Sequence, residues 1–217
     1  MPPEPHESDP RLLVLHALRL KGTADAATVA ATADLPADQV AAQLEKLAGE
    51  GLAAESTGAL AGWSLTAAGR AEHRREVRRE VDATGARPTV TGAYERFRAL
   101  NAGVLDACSR WQVRTLGGQM VRNDHRDRAY DARVVADLVR LRDQAAPLVD
   151  DLSAALARYE GYGPKLQEAV RRVEAGEGDW FAKPVMPSFH TVWFELHEDL
   201  LTTLGLERSD ESDEAAS

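Results

Sequence analysis

The sequence predicts a mainly helical protein of two domains. Three short amphipathic stretches and two short strand candidates fill the first seventy residues, and longer amphipathic stretches fill most of the rest. The apolar fraction of 44% and the charged fraction of 28% are typical of a globular chain. We therefore expect one domain at residues 1–83, a second at 84–207, and a disordered acidic tail at 208–217.

The first domain is expected to begin with three helices. Ser8 or Asp9 caps the first helix, Pro10 takes its first position, and Gly22 ends it. The second helix is predicted over residues 24–33. The third starts at Pro36, and its apolar residues repeat at i, i+4 and i+7 as Val40, Leu44 and Leu47.

A small hairpin follows the third helix. Its strands are predicted at 52–55 and 63–65, around the turn-like residues 56–58, and Thr66 caps the next helix. Three helices followed by a hairpin are typical of the winged form of the helix-turn-helix.

Three motifs in this domain resemble those of a known family. They are the helix Val40-Ala41-Ala42-Gln43-Leu44-Glu45-Lys46-Leu47, the pair Gly51-Leu52, and the segment Gly62-Trp63-Ser64-Leu65-Thr66-Ala67-Ala68-Gly69-Arg70. They resemble the recognition helix, the start of the wing and the "LTxxGR" exit of MarR-type bacterial regulators. The whole chain also resembles actinobacterial-type regulators with a helical C-terminal domain. The resemblance implies a transcriptional regulator that binds double-stranded DNA as a homodimer.

Candidate DNA contacts lie on two predicted helices. Glutamine reads adenine edges and basic side chains contact phosphates, which indicates Gln39, Gln43 and Lys46 on the third helix. On the helix after the hairpin the candidates are Arg70, Arg74 and Arg75, in a basic cluster with His73, Arg78 and Arg79. Glu72, Glu76 and Glu80 interrupt this cluster, so a self-paired, solvated helix face is the alternative. Neither lysine nor arginine occurs between Lys46 and Arg70, so the wing has no positive charge for a phosphate.

The second domain is predicted to be a helical bundle. Residues 84–91 are expected to be a linker, and helices are expected at 93–113, 131–145, 164–175 and 189–204. Pro147 either kinks the second of these or starts another helix that runs to residue 159. The segments 116–128 and 180–187 are predicted as a glycine-containing loop and an extended connector. Such a bundle can dimerise, bind a small-molecule effector, or do both.

Several side chains of the second domain are candidates for effector binding. They are Trp111, Asn123, Asp124, His125, Tyr162, Lys183, His190, Trp193 and His197. Aromatic side chains line ligand pockets, but they also fill ordinary cores. The polar loop residues can instead form local turns, and Lys183 can be a solvated lysine. His190 and His197 lie about 10 Å apart along a helix, which excludes one metal ion bound to both.

Other function classes are disfavoured. Cys108 is the single cysteine, so an intrachain disulfide is excluded, and the sequence contains neither a nucleotide-binding motif nor a metal-ligand set. We expect no cofactor, no metal and no catalysis. The alternatives are an enzyme with a pocket around His125, His190 and His197, and a winged-helix adaptor that binds a protein partner.

The charge and hydropathy of the sequence indicate where in the cell we expect the protein. The net charge is −9, of which residues 143–217 carry −10 and residues 70–142 carry +6. The N-terminus lacks the pattern of a secretion signal, and the uncharged run at 56–69 is too short to span a bilayer. We therefore expect a cytoplasmic protein without membrane contact.

Overall fold

A computed structural model describes residues 4–58 and 61–206 and shows a mainly helical chain with small antiparallel sheets. Its elements are α1 Pro10–Lys21, β1 Thr23–Ala24, α2 Ala26–Ala33, α3 Ala37–Gly49, β2 Ala53–Ser56, β3 Gly62–Leu65, α4 Ala67–Thr84, α5 Arg87–Gln112, β4 Val113–Leu116, β5 Gln119–Arg122, α6 Arg128–Ala155, a 3-10 helix Ala157–Tyr159, α7 Tyr162–Glu174, α8 Asp179–Ala182 and α9 Phe189–Leu204. The predicted mainly helical class is confirmed. The tail predicted at 208–217 lies outside the described residues.

The chain forms two compact units. The first contains residues 4–58 and 61–90 together with 155–158 and 198–206, and the second contains 91–154 and 159–197. These units divide the chain differently from the expected boundary at residues 83 and 84, because two late segments belong to the first unit.

Helices α1 and α2 begin at aspartate caps. The Asp9 carboxylate accepts a hydrogen bond from the Arg11 backbone N–H at 2.8 Å, and Asp25 does the same for Thr28 at 2.7 Å. The second helix was predicted from residue 24, but it begins at Ala26. Residues 23 and 24 instead form β1, where their backbone groups pair with β3.

The first unit contains a three-stranded antiparallel sheet in the order β1-β3-β2. Ser64 of β3 pairs with Thr23 on one side and with Ala54 on the other, so the predicted hairpin is part of a larger sheet. Gly69, in the first turn of α4, lies directly against the Leu52 carbonyl. An added Cβ there would be 1.9 Å from that oxygen, which explains why glycine is needed in this segment.

The core of this unit joins the first three helices to the sheet. Leu15 and Leu18 of α1 pack with Val29 of α2 and with Val40 and Leu44 of α3. The predicted apolar stripe of α3 is therefore buried, and the opposite side of α3 faces solvent.

The second unit is helical apart from one hairpin. The linker expected at 84–91 is short: α4 runs to Thr84, α5 begins at Arg87, and Gly85 has a left-handed φ of 67°. The loop predicted at 116–128 contains the antiparallel pair β4–β5. Gly117 and Gly118 have φ values of 56° and 81°, so they form the tight turn that joins the two strands.

Three further elements differ from the sequence expectations. Pro147 lies inside α6, which is one helix from Arg128 to Ala155 rather than two. Helix α7 begins at Tyr162, two residues before the predicted start at residue 164. The connector predicted at 180–187 begins with the short helix α8 instead of extended backbone.

The hydropathy of the described helices bears on the membrane expectation. Within residues 4–58 and 61–206, no helix combines the length and the apolar character that crossing a bilayer requires.

Candidate functional site

The predicted base-contacting residues lie on α3 and differ in their exposure. Lys46 is exposed, while Gln39 and Gln43 are half-buried. The Gln43 Oε1 atom is buried and has no hydrogen-bond partner among the described residues. Asp38 and Glu45 are exposed on the same helix, so this face carries mixed charge.

The arginines of α4 are exposed and differ in their partners. Arg70 donates from Nη1 to the Leu65 carbonyl at 2.8 Å, which places it beside strand β3. Arg75 pairs with Glu72, and Arg78 lies 3.9 Å from Asp82. Arg74 makes no ion pair with any described residue. Part of the cluster is therefore self-paired, and part of its positive charge remains available.

Arginine side chains of this cluster line a groove of about 510 Å³ in the first unit. Arg74, Arg75 and Arg78 line it together with Arg87 and residues 202–205, and among the described lining residues Asp82 is the one that carries a carboxylate. We call it the arginine groove. Four guanidinium groups around one concave surface suit the oxygens of a phosphate. The predicted DNA contacts thus occupy three places in one unit: Gln39, Gln43 and Lys46 on α3, Arg70 beside β3, and Arg74 and Arg75 at the arginine groove.

His73 does not belong to the exposed basic cluster in which the sequence placed it. It is fully buried, and its Nε2 lies 3.0 Å from Nδ1 of His16, whose Nε2 lies 3.0 Å from Asp199 Oδ1. Burial, reinforced by the neighbouring His16, lowers the pKa of His73 from 6.5 to about 2, so it is uncharged at neutral pH. The spacing of Gly69, His73 and Val77 at four-residue steps was the sequence signal for a buried side chain.

An arginine–glutamate pair is buried near these histidines. Arg158 contacts the Glu80 carboxylate and donates from Nη2 to Thr203 Oγ1 at 2.8 Å, and Thr203 donates to Asp199 Oδ1 at 3.1 Å. We call His16, His73, Glu80, Arg158 and Asp199 the buried polar cluster. Sequence reasoning placed Glu80 on the surface and missed this cluster, because its members come from distant segments.

The second unit contains a cavity of about 1090 Å³. Trp111, His125, Asp131, Glu174 and Trp180 are among its lining residues, and we call it the aromatic cavity. The Trp111 ring stacks on Phe181 at 4.6 Å between centroids, with 7° between their planes. The His125 ring lies 4.4 Å from the Trp111 ring.

Buried Asn123 holds His125 at the wall of the aromatic cavity. Its Nδ2 donates to Asp131 Oδ1 at 2.8 Å and to the Trp111 carbonyl at 3.1 Å, and its Oδ1 accepts from the His125 backbone N–H at 3.2 Å. The His125 Nδ1 atom lies 3.1 Å from Asp131 Oδ2. His125 has a left-handed φ of 57°, which this set of contacts maintains. Two predicted ligand contacts, Trp111 and His125, therefore meet at one cavity, with Asn123 behind them.

The other ligand candidates are located elsewhere in the second unit. Trp193 stacks on Phe97 at 4.3 Å and donates from Nε1 to Asn101 Oδ1 at 3.0 Å, and His197 stacks on the same phenylalanine at 4.9 Å. This is the arrangement of a packed core.

The remaining candidates also have local roles. Lys183 pairs with Asp179 at 2.6 Å on the surface, and Asp124 accepts from the Arg126 backbone N–H at 3.2 Å. Tyr162 is buried and His190 is half-buried. None of these described side chains lines the aromatic cavity. His190 and His197 therefore do not share a pocket with His125, which does line it.

Neither a metal site nor a similarity to known proteins identifies a function for the described residues. Across residues 4–58 and 61–206, no group of three or more histidine, cysteine, aspartate or glutamate side chains is placed to hold a metal ion. The chain matches no known protein family, no curated protein and no solved structure.

Proposed function

We propose that the protein is a cytoplasmic transcriptional regulator that binds double-stranded DNA through its first unit. The observation that carries this proposal is the order α1-β1-α2-α3-β2-β3-α4 with its three-stranded sheet, which fits a winged helix-turn-helix. In that arrangement α3 is the recognition helix, because its apolar side is buried and Gln39 and Lys46 lie on its outer side.

Affinity for DNA depends on the arginines of α4 in this proposal. Residues 56–58 and 61–62 carry no charge, so the tip between β2 and β3 gives no ionic contact with phosphates. Arg74 and Arg75 supply that contact from the arginine groove.

The protein binds as a homodimer, with two recognition helices one helical turn of DNA apart, about 34 Å. The second unit is a helical bundle that dimerises, binds a small effector in the aromatic cavity, or does both. An effector that binds two dimer geometries with different affinity switches DNA binding. Sedimentation of the full chain tests the dimer.

The salt dependence of binding tests the DNA proposal. The probe is a pool of random-sequence DNA duplexes, and the affinity of the full chain is measured between about 50 and 200 mM salt. We expect log affinity to fall linearly with log salt, and Arg74→Ala and Arg75→Ala each to reduce the slope by about 0.9. Arg140→Ala, an exposed arginine of α6, is the matched control and leaves the slope unchanged.

Sequence selection tests the assignment of α3. Selection from the same pool by the wild-type chain defines a preferred sequence. Gln39→Ala and Gln43→Ala are expected to change that preference, with a loss of about 1–3 kcal/mol of discrimination at the contacted base pair. We expect the slope of log affinity against log salt to be the same in both variants as in the wild type, because a glutamine that contacts a base does not neutralise a phosphate.

A second candidate function is a winged-helix adaptor that binds a protein. The observation that favours it is the pair of exposed carboxylates, Asp38 and Glu45, on the face of α3. Carboxylates repel DNA phosphates, and they suit a basic protein surface. Absence of binding to the random duplex pool at about 50 mM salt selects this candidate over the regulator.

A further inference from the structure

The walls of the aromatic cavity carry more negative than positive charge. Among the described lining residues, four carry carboxylates, Asp131, Glu174, Glu177 and Asp179, and one, Arg128, carries a guanidinium. An anionic ligand would therefore meet repulsion from most of the charged wall.

Local pairing removes only part of this negative charge. Glu177 contacts Arg172 at 3.1 Å, and Asp179 contacts Lys183 at 2.6 Å, so both have cationic partners. Asp131 is held by the Asn123 amide and by His125, as described above. Glu174 is exposed and makes no ion pair or hydrogen bond with any described residue. Glu174 is the carboxylate that remains available to a ligand.

The uncharged walls favour the same kind of ligand. Trp111 and Trp180 are both half-buried, and the faces of indole rings attract cations. The Trp111 ring packs against Phe181 and His125, whereas the Arg172 guanidinium lies 5.3 Å from the centre of the Trp180 ring, so Trp180 is the indole that already contacts a cation. Val135, Val139 and Met186 add an apolar surface for the body of a ligand.

His125 adds a hydrogen-bond acceptor to the cavity wall. The His125 Nδ1 atom lies 3.1 Å from the Asp131 carboxylate and 3.3 Å from the Asn123 Nδ2 atom. Because the two hydrogens of that amide already go to Asp131 and to the Trp111 carbonyl, a neutral His125 ring carries its proton on Nδ1, facing the carboxylate. The Nε2 atom is then an acceptor, and it has no hydrogen-bond partner among the described residues. A ligand with an N–H group supplies the missing donor.

We infer that the aromatic cavity binds an organic cation: an amine or ammonium group attached to an aromatic or apolar body. The ammonium group contacts Glu174 and the Trp180 indole, and an N–H group of the ligand donates to His125 Nε2. The role of this cation as an effector rests on the proposed function, whereas its binding does not.

A matched ligand series tests the inference on the full chain without DNA. Phenethylammonium is the cation, 2-phenylethanol is its neutral analogue, and 3-phenylpropionate is its anionic analogue. Calorimetric titration measures the three dissociation constants. We expect the cation to bind most tightly, the alcohol more weakly, and the carboxylate most weakly.

Two variants assign the recognition to named groups. Glu174→Gln is expected to weaken cation binding roughly fivefold and to leave the alcohol unchanged, because one exposed charge is removed and nothing else. Glu160→Gln, which removes an exposed charge outside the cavity, is the control and leaves all three constants unchanged. Trp180→Leu keeps an apolar side chain without the ring, so it weakens the cation more than the alcohol.

Two results would overturn the inference. Tighter binding of 3-phenylpropionate would make Arg128 the recognising charge, and no binding of any probe at millimolar concentration would show that the cavity is not a ligand site. Since the titration contains no DNA, a cation that binds to a chain unable to bind DNA contradicts the regulator and leaves this inference intact.

Discussion

Each unit contains a histidine ring beside an aspartate carboxylate, but the pair in the first unit is buried and the pair in the second unit lines a cavity. In the first unit the His16 ring lies 3.0 Å from the Asp199 carboxylate, and both side chains are at least 94% buried. In the second unit His125 lies 3.1 Å from Asp131, but 43% of the His125 side chain is exposed and both residues line a cavity.

Access to solvent separates the structural histidine, His16, from the histidine that can bind a ligand, His125. A histidine enclosed with a carboxylate has no path to a ligand, so its contacts act on folding. A histidine held by a carboxylate at a cavity wall keeps one nitrogen for a partner from outside. A carboxylate partner therefore does not by itself show what a histidine does. The exposure of the second ring nitrogen to solvent or ligand does.

The largest effect is expected for Arg158→Ala in the buried polar cluster. This change leaves the Glu80 carboxylate buried without its cation, because only 5% of that side chain is exposed. We expect a loss of about 3–5 kcal/mol in the free energy of unfolding. Urea denaturation of the full chain measures it.

A double variant controls for the loss of packing. Arg158→Met with Glu80→Leu removes both charges and is expected to recover much of the stability lost in Arg158→Ala. A loss below about 1 kcal/mol in Arg158→Ala would show that Glu80 is solvated and that the cluster is open to water.

The next effect is a pH dependence that arises in the first unit. The pKa of His73 is about 2 in the folded chain and 6.5 in the unfolded chain, so the unfolded chain binds more protons below pH 6.5. The stability from uncharged His73 is therefore present above pH 6.5 and is lost as the pH falls, by about 2 kcal/mol between pH 7 and pH 5. Urea denaturation at both pH values measures this loss. His73→Gln should lack this component, and an unchanged pH dependence in that variant would assign it to other groups.

A smaller effect is expected for Asn123→Ala in the second unit. The variant removes the hydrogen bonds to Asp131 and to the Trp111 carbonyl. Because the adjacent cavity admits water, we expect a loss of about 1 kcal/mol instead of the several expected for Arg158. Thermal or urea unfolding measures the change in the free energy of unfolding. A loss as large as that of Arg158→Ala would mean that the groups around Asn123 are as inaccessible to water as the buried polar cluster.

The smallest effect is expected for Lys183→Ala. Its pair with Asp179 joins two largely exposed side chains four residues apart. Such pairs contribute about 0.3–0.5 kcal/mol, and salt screens them. Urea denaturation at low and high salt should show this difference at low salt only. A larger loss that persists at high salt would contradict the assignment of Lys183 to a solvated surface pair.

Local signals explain which parts of the fold could be predicted. Asp9, Pro10 and Gly22 define α1 through capping chemistry, and the predicted bounds of the last helix, 189–204, are those of α9, Phe189–Leu204. The strands β4 and β5 were missed although Gly117-Gly118 is a hairpin signal. Their residues are mostly exposed, so the alternation of apolar and polar residues is weak.

The candidate sites could be predicted only in part for a different reason. Trp111 and His125 stood out by residue type, and the structure brings them to one cavity. The pairing of Arg158 with Glu80 spans 78 positions and that of His16 with Asp199 spans 183, so no periodicity along the chain reports either. Glu174 was not selected because its importance depends on the cavity that the fold creates.

The composition of the first unit from separate segments has a consequence for biosynthesis. Its N-terminal helices leave the ribosome early, but Arg158 and Asp199, which pair with Glu80 and His16, are translated much later. The first unit therefore cannot complete its buried ion pairs until residue 199 has been synthesised. A fragment that ends at residue 83 lacks part of this unit, and proteolysis ahead of α9 would reduce the stability of α1 and α4.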